Sequence, residues 1–237
     1  HQEARRQRQM CIRDRIGVDN NDGDLHVWEN VSDVNSVVWI GGTDSNWNDS
    51  TNWLEGNEPI VGSNVIISQP GQNSQPEITQ DELDLYDSIC VMENAILTIK
   101  ANGVIHTGFV VLDNSGTIII ESSGELESLS TVNVFGRLEL NGGLLSANNM
   151  VLGSTGNYIA SQGTTEVKGN WATFNGAMFF EGTSSTVFNG VSNQSVSGLP
   201  IVFYEVDVNK SGGILTFNAD SMINSNLRVL SGTLDLQ

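Results

Sequence analysis

The chain has 237 residues, of which 38% are hydrophobic and only 16% charged, and its formal net charge is −18. This length suits one or two domains, and 10 Lys and Arg residues against 28 Asp and Glu residues make a nucleic-acid partner unexpected. No apolar stretch reaches the roughly 18 residues of a membrane-spanning helix, and no basic-then-apolar leader opens the chain, so membrane insertion is not expected.

The first segment, residues 1–15, differs from the rest in composition. It holds five of the ten basic residues and Cys11, one of the two cysteines. Its QRQMCIRDR run resembles translated sequencing-adapter read-through, so the segment is expected to be non-native; a genuine basic tail is the alternative. If the segment is foreign, Cys90 is expected to stand alone, without an internal disulfide.

Residues 16–36 are acidic and predict a linker. Within them, the run 18–29, VDNNDGDLHVWE, partly matches a calcium loop, because oxygen-bearing side chains fall at its third, fifth and twelfth places. The first place, where such loops carry a carboxylate, is Val18, which favours a solvated linker instead. The candidate calcium ligands are Asp19, Asn20, Asp22, Asp24 and Glu29. Calcium is the only cofactor that the sequence suggests.

Residues 37–94 precede the regular part of the chain and contain Trp39, Trp47 and Trp53. An open end of a stacked β-structure exposes unpaired backbone and apolar core, which must be covered. The segment is therefore expected to form a Trp-rich N-terminal cap and the first irregular rungs. The alternative is that the three rings are exposed platforms for carbohydrate binding, since an aromatic face suits an amphipathic partner.

A repeat of twenty residues organises the segment 95–188. Gly116, Gly136, Gly156 and Gly176 each open a short run in which apolar and mixed positions alternate. Similar runs follow Ala95, Gly213 and Gly232. The second and fourth positions after these seven openers are all apolar: Leu97, Ile99, Ile118, Ile120, Leu138, Leu140, Tyr158, Ala160, Met178, Phe180, Leu215, Phe217, Leu234 and Leu236. Such alternation is typical of a β-strand with one buried face.

Each period also holds a second glycine-led run and a third apolar run, so three short strands per turn are predicted. Copies of a strand in a chain that returns to the same place every turn stack in parallel, about 4.8 Å apart. The predicted fold class is all-β: a three-sided parallel β-helix with about 20 residues per rung, right-handed by the general preference of parallel crossovers. An antiparallel sandwich or a helical solenoid would not keep the same positions apolar at this period.

The remaining segment, residues 189–237, is expected to hold an irregular insertion and further rungs, truncated at the C-terminus. Whether the stretch 189–208 is a loop or a rung stays open at this point.

The segment that precedes the regular rungs resembles a known pattern. Trp39, Gly41 and Gly42 form W-x-G-G, and two Asn-Trp pairs, a proline and Val-x-Ile follow within 46–67. This order looks like the opening of secreted β-helix domains in large surface proteins of Bacteroidota, and it is similar to the start of G8-type domains. The resemblance implies an extracellular or cell-surface location. It implies no catalytic residues.

No set of residues nominates a reaction. Glu121 and Glu181 share one rung position but lie three rungs apart, about 14 Å by strand spacing, which is too far for a glycosidase carboxylate pair. The expected function is a structural or adhesive, non-catalytic segment of an exported bacterial surface protein. A carbohydrate-binding or polysaccharide-cleaving module is the alternative. The expected partners are surface polysaccharide or other cell-surface components and the remainder of a longer polypeptide.

Overall fold

The structure is a computed structural model that describes residues 14–18, 25–29, 35–68, 74–92 and 94–236. Its first ten strands are β1 Asp14–Val18, β2 Leu25–Glu29, β3 Ser36–Trp39, β4 Asn64–Ser68, β5 Glu77–Ile78, β6 Asp81–Met92, β7 Ile96–Ile99, β8 Val104–Leu112, β9 Thr117–Glu121 and β10 Glu125–Val134. The others are β11 Arg137–Leu152, β12 Asn157–Val167, β13 Trp171–Thr173, β14 Met178–Phe180, β15 Ser185–Phe188, β16 Gln194–Gly198, β17 Ile201–Phe203, β18 Glu205–Phe217, β19 Ser221–Ile223 and β20 Leu227–Leu236.

Two short 3-10 helices, Ser50–Asn52 and Leu54–Gly56, lie between β3 and β4. None of the helices in the described ranges is long and apolar enough to cross a membrane.

The strands form a parallel β-solenoid of about eight turns with about 21 residues per turn, which confirms the predicted fold class. Sheet 1 contains β3, β4, the ends of β6, β8, β10 and β11, then β13, β16 and the end of β18. Sheet 2 contains β5, β7, β9, the starts of β11 and β12, and β14. Sheet 3 contains the starts of β6, β8 and β10, the middle of β11, the end of β12, β15, and the starts of β18 and β20.

The interior is a stack of identical register positions filled by apolar side chains. On sheet 1, Val65, Ile89, Val110, Val132 and Met150 follow one another on adjacent strands and are all fully buried. The residue between two such positions points outward, because successive side chains of a strand lie on opposite faces. The core is therefore continuous along the axis, and the outer faces are free to carry other chemistry.

The repeating glycines are required by close backbone approach. A Cβ atom on Gly156 would lie 2.0 Å from the carbonyl oxygen of Val134 on the turn below, and one on Gly136 would lie 2.2 Å from that of Asp113. Real Cβ atoms do not approach a carbonyl oxygen so closely. The absence of a side chain thus lets each turn sit directly on the previous one.

One predicted repeat is out of register by one residue. The twenty-residue spacing places Met178 and Phe180 in the core, but they are 48% and 51% exposed. Phe179 packs against the core instead, aligned with Tyr158 of the preceding strand. The prediction for Met178 and Phe180 is therefore wrong.

The slip comes from an additional residue at the preceding corner. Sheet 3 aligns Ala147 with Val167, whereas sheet 1 aligns Met150 with Trp171. Ala147 and Met150 are three positions apart, whereas Val167 and Trp171 are four positions apart. The later turn therefore reaches its next strand one residue later in the sequence. Gly176, with a φ of +98°, then lies in the turn itself.

The last two predicted repeats are apolar at the expected spacing but belong to another sheet. Leu215 and Phe217 are buried, yet Phe217 aligns with Val196 on sheet 1 and not with sheet 2. Leu234 and Leu236 pair with them on the last turn, where Leu236 is 66% exposed. The stretch 189–208, which carries β16, β17 and the start of β18, is a turn of the solenoid rather than a loop.

The N-terminal cap is present, and it is built from the three tryptophans. Trp39, Trp47 and Trp53 pack with ring centroids 4.8–6.3 Å apart. Trp53 Nε1 donates to the Trp47 carbonyl oxygen at 2.7 Å, and Trp47 Nε1 donates to the Tyr86 hydroxyl at 3.2 Å. Part of the expected linker 16–36 has regular structure, because β1 and β2 pair as an antiparallel hairpin.

The opposite end of the core is open among the described residues. Leu227 and Val229 align with the buried Val206 and Val208, but they are 40% and 51% exposed. A cavity of about 380 Å³ lies beside them, bordered by Phe217 and by residues of the last turn. The final strand, β20, pairs with β18 along one edge.

Candidate functional site

The outer face of sheet 1 changes character along the solenoid axis. Its outward positions are, in register, Val38, Ile66, Cys90, Val111, Asn133, Val151, Ala172 and Ser197. Near the cap they are apolar, and Ile66, Cys90 and Val111 form a small buried cluster with Met92. From Asn133 onward, polar side chains enter the face.

A groove of about 460 Å³ lies on the polar part of this face. It crosses five neighbouring strands of sheet 1, and we call it the sheet 1 groove. The residues that line it are Phe109, Thr131, Asn133, Asn149, Met150, Val151, Asn170, Ala172, Ser195 and Ser197. Among these described lining residues none is charged, and side-chain amides and hydroxyls supply most of the polar groups.

Asn133 is the unusual residue of the groove. It is 1% exposed, and its Oδ1 atom has no hydrogen-bond partner. Its Nδ2 atom makes one long bond, donating to the Val110 carbonyl oxygen at 3.5 Å. The stacking neighbours on its two sides are Val111 and Val151. A buried amide between two valines is a polar group whose hydrogen-bonding capacity the fold leaves unused.

One edge of the groove is an asparagine ladder. Asn149 Oδ1 accepts a hydrogen bond from the Asn170 backbone N–H at 2.9 Å, and Asn170 Oδ1 accepts one from the Ser195 backbone N–H at 2.9 Å. These bonds fix both amide planes. The amide NH2 groups of Asn149 and Asn170 donate to no other described residue, so each keeps two donors for a ligand.

The outer face of sheet 3 has a different chemistry, since it carries a ladder of ion pairs. His106 Nδ1 lies 3.0 Å from Glu127 Oε2, and its Nε2 lies 3.6 Å from Asp81 Oδ1. Lys168 Nζ lies 3.2 Å from Glu127 Oε1. Burial acts to raise the pKa of Glu127, but the hydrogen bonds from His106 and Lys168 prevail and lower it. Lys168 and the His106 ring engage these carboxylates and connect one turn with another.

A second group of charges lies further along sheet 3. Arg228 donates from Nε and Nη2 to the two carboxylate oxygens of Asp207, at 2.6 and 2.7 Å, and approaches Glu205 Oε1 at 2.5 Å. A bidentate arginine of this kind fixes geometry as well as charge. It ties the last turn to the one before it.

A buried lysine organises the corner after β15, which sequence reasoning missed. Lys210 is 2% exposed, and its Nζ donates to the Gly190 carbonyl oxygen at 2.9 Å, the Ser192 carbonyl oxygen at 2.8 Å and Gln194 Oε1 at 2.6 Å. Burial lowers the pKa of the Lys210 ammonium group. A single Lys between polar residues gives no sequence signal for burial.

The tryptophans proposed for carbohydrate binding are in the core. Trp39, Trp47 and Trp53 are 1%, 2% and 1% exposed. A buried ring cannot stack on a sugar, so the interpretation of these residues as exposed platforms is wrong. Their apolar area is used to fill the first turn.

The candidate calcium ligands Asp19, Asn20, Asp22 and Asp24 lie outside the described residues. Glu29 ends β2, but its side chain is likewise outside the description. Within the described ranges no group of three or more His, Cys, Asp or Glu side chains could hold a metal ion. Cys90 is disulfide-bonded, so the expectation that it stands alone is wrong.

A family model of unknown function matches part of the chain. A protein-family model described as a domain of unknown function, DUF8693, matches residues 38–150, which is just under half of the chain. This region runs from the cap to the strand β11 and includes Phe109, Asn133 and Asn149. No curated protein and no solved structure matches the chain.

Proposed function

We propose that this protein is a structural and adhesive, non-catalytic segment of an exported bacterial surface protein. The observation that carries the proposal is the uninterrupted parallel stack of about eight turns. At about 4.8 Å per turn, such a stack is a rod of roughly 38 Å in which each turn is hydrogen-bonded to the next. A rod of this kind presents outer faces at fixed positions, which suits a spacer or a contact surface.

The charge of the chain is consistent with this role. A net charge of −18 keeps a protein soluble and disfavours association between copies. The outward carboxylates of sheet 3 are held by His106, Lys168 and Arg228. These contacts between turns support a structural use of these residues.

The open core at β20 supports a further part of the proposal, that another rung stacks on this strand as part of a longer polypeptide. Leu227, Val229 and Leu236 would be buried by one more turn of the solenoid, as their counterparts on the preceding turns are. The W-x-G-G opening at Trp39 leads us to propose an origin among Bacteroidota surface proteins, with a G8-like start and an extracellular location.

A polysaccharide panel tests the adhesive and non-catalytic parts together. The full chain is incubated with immobilised neutral and acidic polysaccharides, once with calcium and once with a chelator. Retention is scored by the protein left in solution, and turnover by new reducing ends and by unsaturated products. Retention without products is the expected result. Product formation would overturn the non-catalytic assignment, and absence of retention on every polymer would overturn the adhesive one.

A further inference from the structure

We propose that the sheet 1 groove binds an uncharged polysaccharide whose chain runs along the solenoid axis. The inference rests on the proposed adhesive function and names its site and its ligand class. Phe109 supplies a ring at one end, Asn133 lies at the floor, and the ladder of Asn149 and Asn170 forms an edge.

The groove has the shape expected for a linear ligand. It crosses β8, β10, β11, β13 and β16, which are consecutive strands of sheet 1. With about 4.8 Å between strands, its length is roughly 19 Å. Equivalent positions return at this constant spacing, so a polymer with repeating hydroxyl groups can make similar contacts on successive turns.

The polar groups of the groove match hydroxyl groups. A side-chain amide both donates and accepts, and a sugar hydroxyl does the same. Asn133 Oδ1 is buried and has no partner in the fold, so a turn of the amide toward the groove would let it accept from a ligand hydroxyl without breaking a bond to that oxygen. The NH2 groups of Asn149 and Asn170 are held in place through their own oxygens, so they donate in fixed directions.

The charge pattern selects an uncharged ligand. An acidic polymer would need Lys or Arg in the groove, and a bound cation would need carboxylates; the described lining residues include neither. The net charge of −18 adds a general repulsion for acidic polymers. Phe109 contributes an apolar ring surface, which suits the apolar face of a neutral sugar.

The discriminating variant is Asn133→Val. It replaces the amide by the side chain of its stacking neighbours Val111 and Val151, so the fold is expected to tolerate it. A merely structural Asn133 would leave binding unchanged on this substitution. Asn170→Ala is a second groove variant. Asn175→Ala is the matched control, because Asn175 is an exposed turn residue outside the groove.

Binding of the full chain to soluble mixed-linkage glucan, mannan and arabinoxylan is measured by affinity electrophoresis, with alginate and polygalacturonate as acidic probes. We expect wild type and Asn175→Ala to bind at least one neutral polymer. Asn133→Val and Asn170→Ala are each expected to weaken that binding about tenfold or more. The melting temperature of Asn133→Val should equal or exceed that of wild type.

The other possible results overturn different parts of the proposal. Neutral-polymer binding that both groove variants retain overturns the groove as the site, while the adhesive function stands. Preferential binding of the acidic probes overturns the ligand class. Absence of binding by wild type to every polymer overturns the adhesive function and this inference together.

Discussion

Replacing Trp47 by Ala should destabilise the first turns of the solenoid. Trp47 is 2% exposed, and its ring centroid lies 4.8 Å from that of Trp53 and 5.9 Å from that of Tyr86. Burial of about 200 Å² at 25 cal/mol per Å² gives an upper value of about 5 kcal/mol. Large-to-small substitutions of buried aromatic residues cost about 3–5 kcal/mol, and we expect a loss of stability in that range.

Two assays test the size and the location of this effect. Urea unfolding gives the change in free energy. Hydrogen exchange shows whether the amides of β4 lose protection before those of β10, as expected when one end of a stacked array is weakened. Burial raises the pKa of Tyr86 to about 12, and the hydrogen bond from Trp47 is a smaller, opposing effect. Trp47→Ala removes both, so loss of burial should prevail and lower the pKa of that hydroxyl, which ultraviolet titration measures.

A matched control uses an exposed aromatic residue. Phe180 is 51% exposed, and Phe180→Ala should change stability by less than about 1 kcal/mol. If Trp47→Ala were as mild as Phe180→Ala and weakened carbohydrate binding instead, the assignment of Trp47 to the cap would be refuted.

Three further changes have distinct expected results. Gly156→Ala should cost about 1–3 kcal/mol in urea unfolding, because its Cβ would meet the Val134 carbonyl oxygen at 2.0 Å; Gly56→Ala, which has a φ of +68° but no close contact, separates the cost of backbone strain from that of the clash. Lys210→Met should cost about 1–3 kcal/mol in the same assay, since three acceptors lose their donor. Glu127→Gln should cost less than about 1 kcal/mol at neutral pH, as the pair is partly exposed. The pKa of Glu127 is lowered in the folded protein. The stability that Glu127→Gln loses is therefore fully present above the pKa of about 4.3 in the unfolded chain, and it disappears as the pH falls through the folded pKa.

The sequence predicts the fold because every turn needs apolar residues at the same positions of its strands. Leu97, Ile118, Leu138 and Tyr158 occupy one register position and are all fully buried. A single buried face per strand forces alternation, and alternation at a constant period is visible without a structure. This part of the prediction depends only on the hydrophobic pattern.

The register slip at Phe179 shows where that pattern fails. The corner of residues 168–170 is one residue longer than its counterpart at 148–149, and corners are exposed and polar, so their length leaves no mark in the hydrophobic pattern. Gly176 keeps the twenty-residue spacing although the strand has moved. Because Met178, Phe179 and Phe180 are all apolar, their composition could not indicate which of them faces inward.

The groove could not be predicted for a related reason. Asn133 lies in the apolar run VNVF, where sequence reasoning sees a strand with one polar outward residue. The surroundings of Asn133 in the groove come from other turns. Val111 and Val151 lie beside it, and the amides of Asn149 and Asn170 lie along the edge. The twenty-residue return of the chain assembles this surface, and only the register of the strands shows which outward residues meet.

On the strands of sheet 1, the inward residues form the core, and the outward residues can change without disturbing it. The inward residues Val132 and Val134 are fully buried and supply the stability of their turn, whereas Asn133 between them adds an unpartnered polar atom. An unsatisfied buried group costs about 1–3 kcal/mol, and valine at this position would remove that cost without disturbing the stack. A rod needs only the inward residues, so Asn133→Val should raise the free energy of unfolding while it weakens the neutral-polymer binding proposed for the sheet 1 groove.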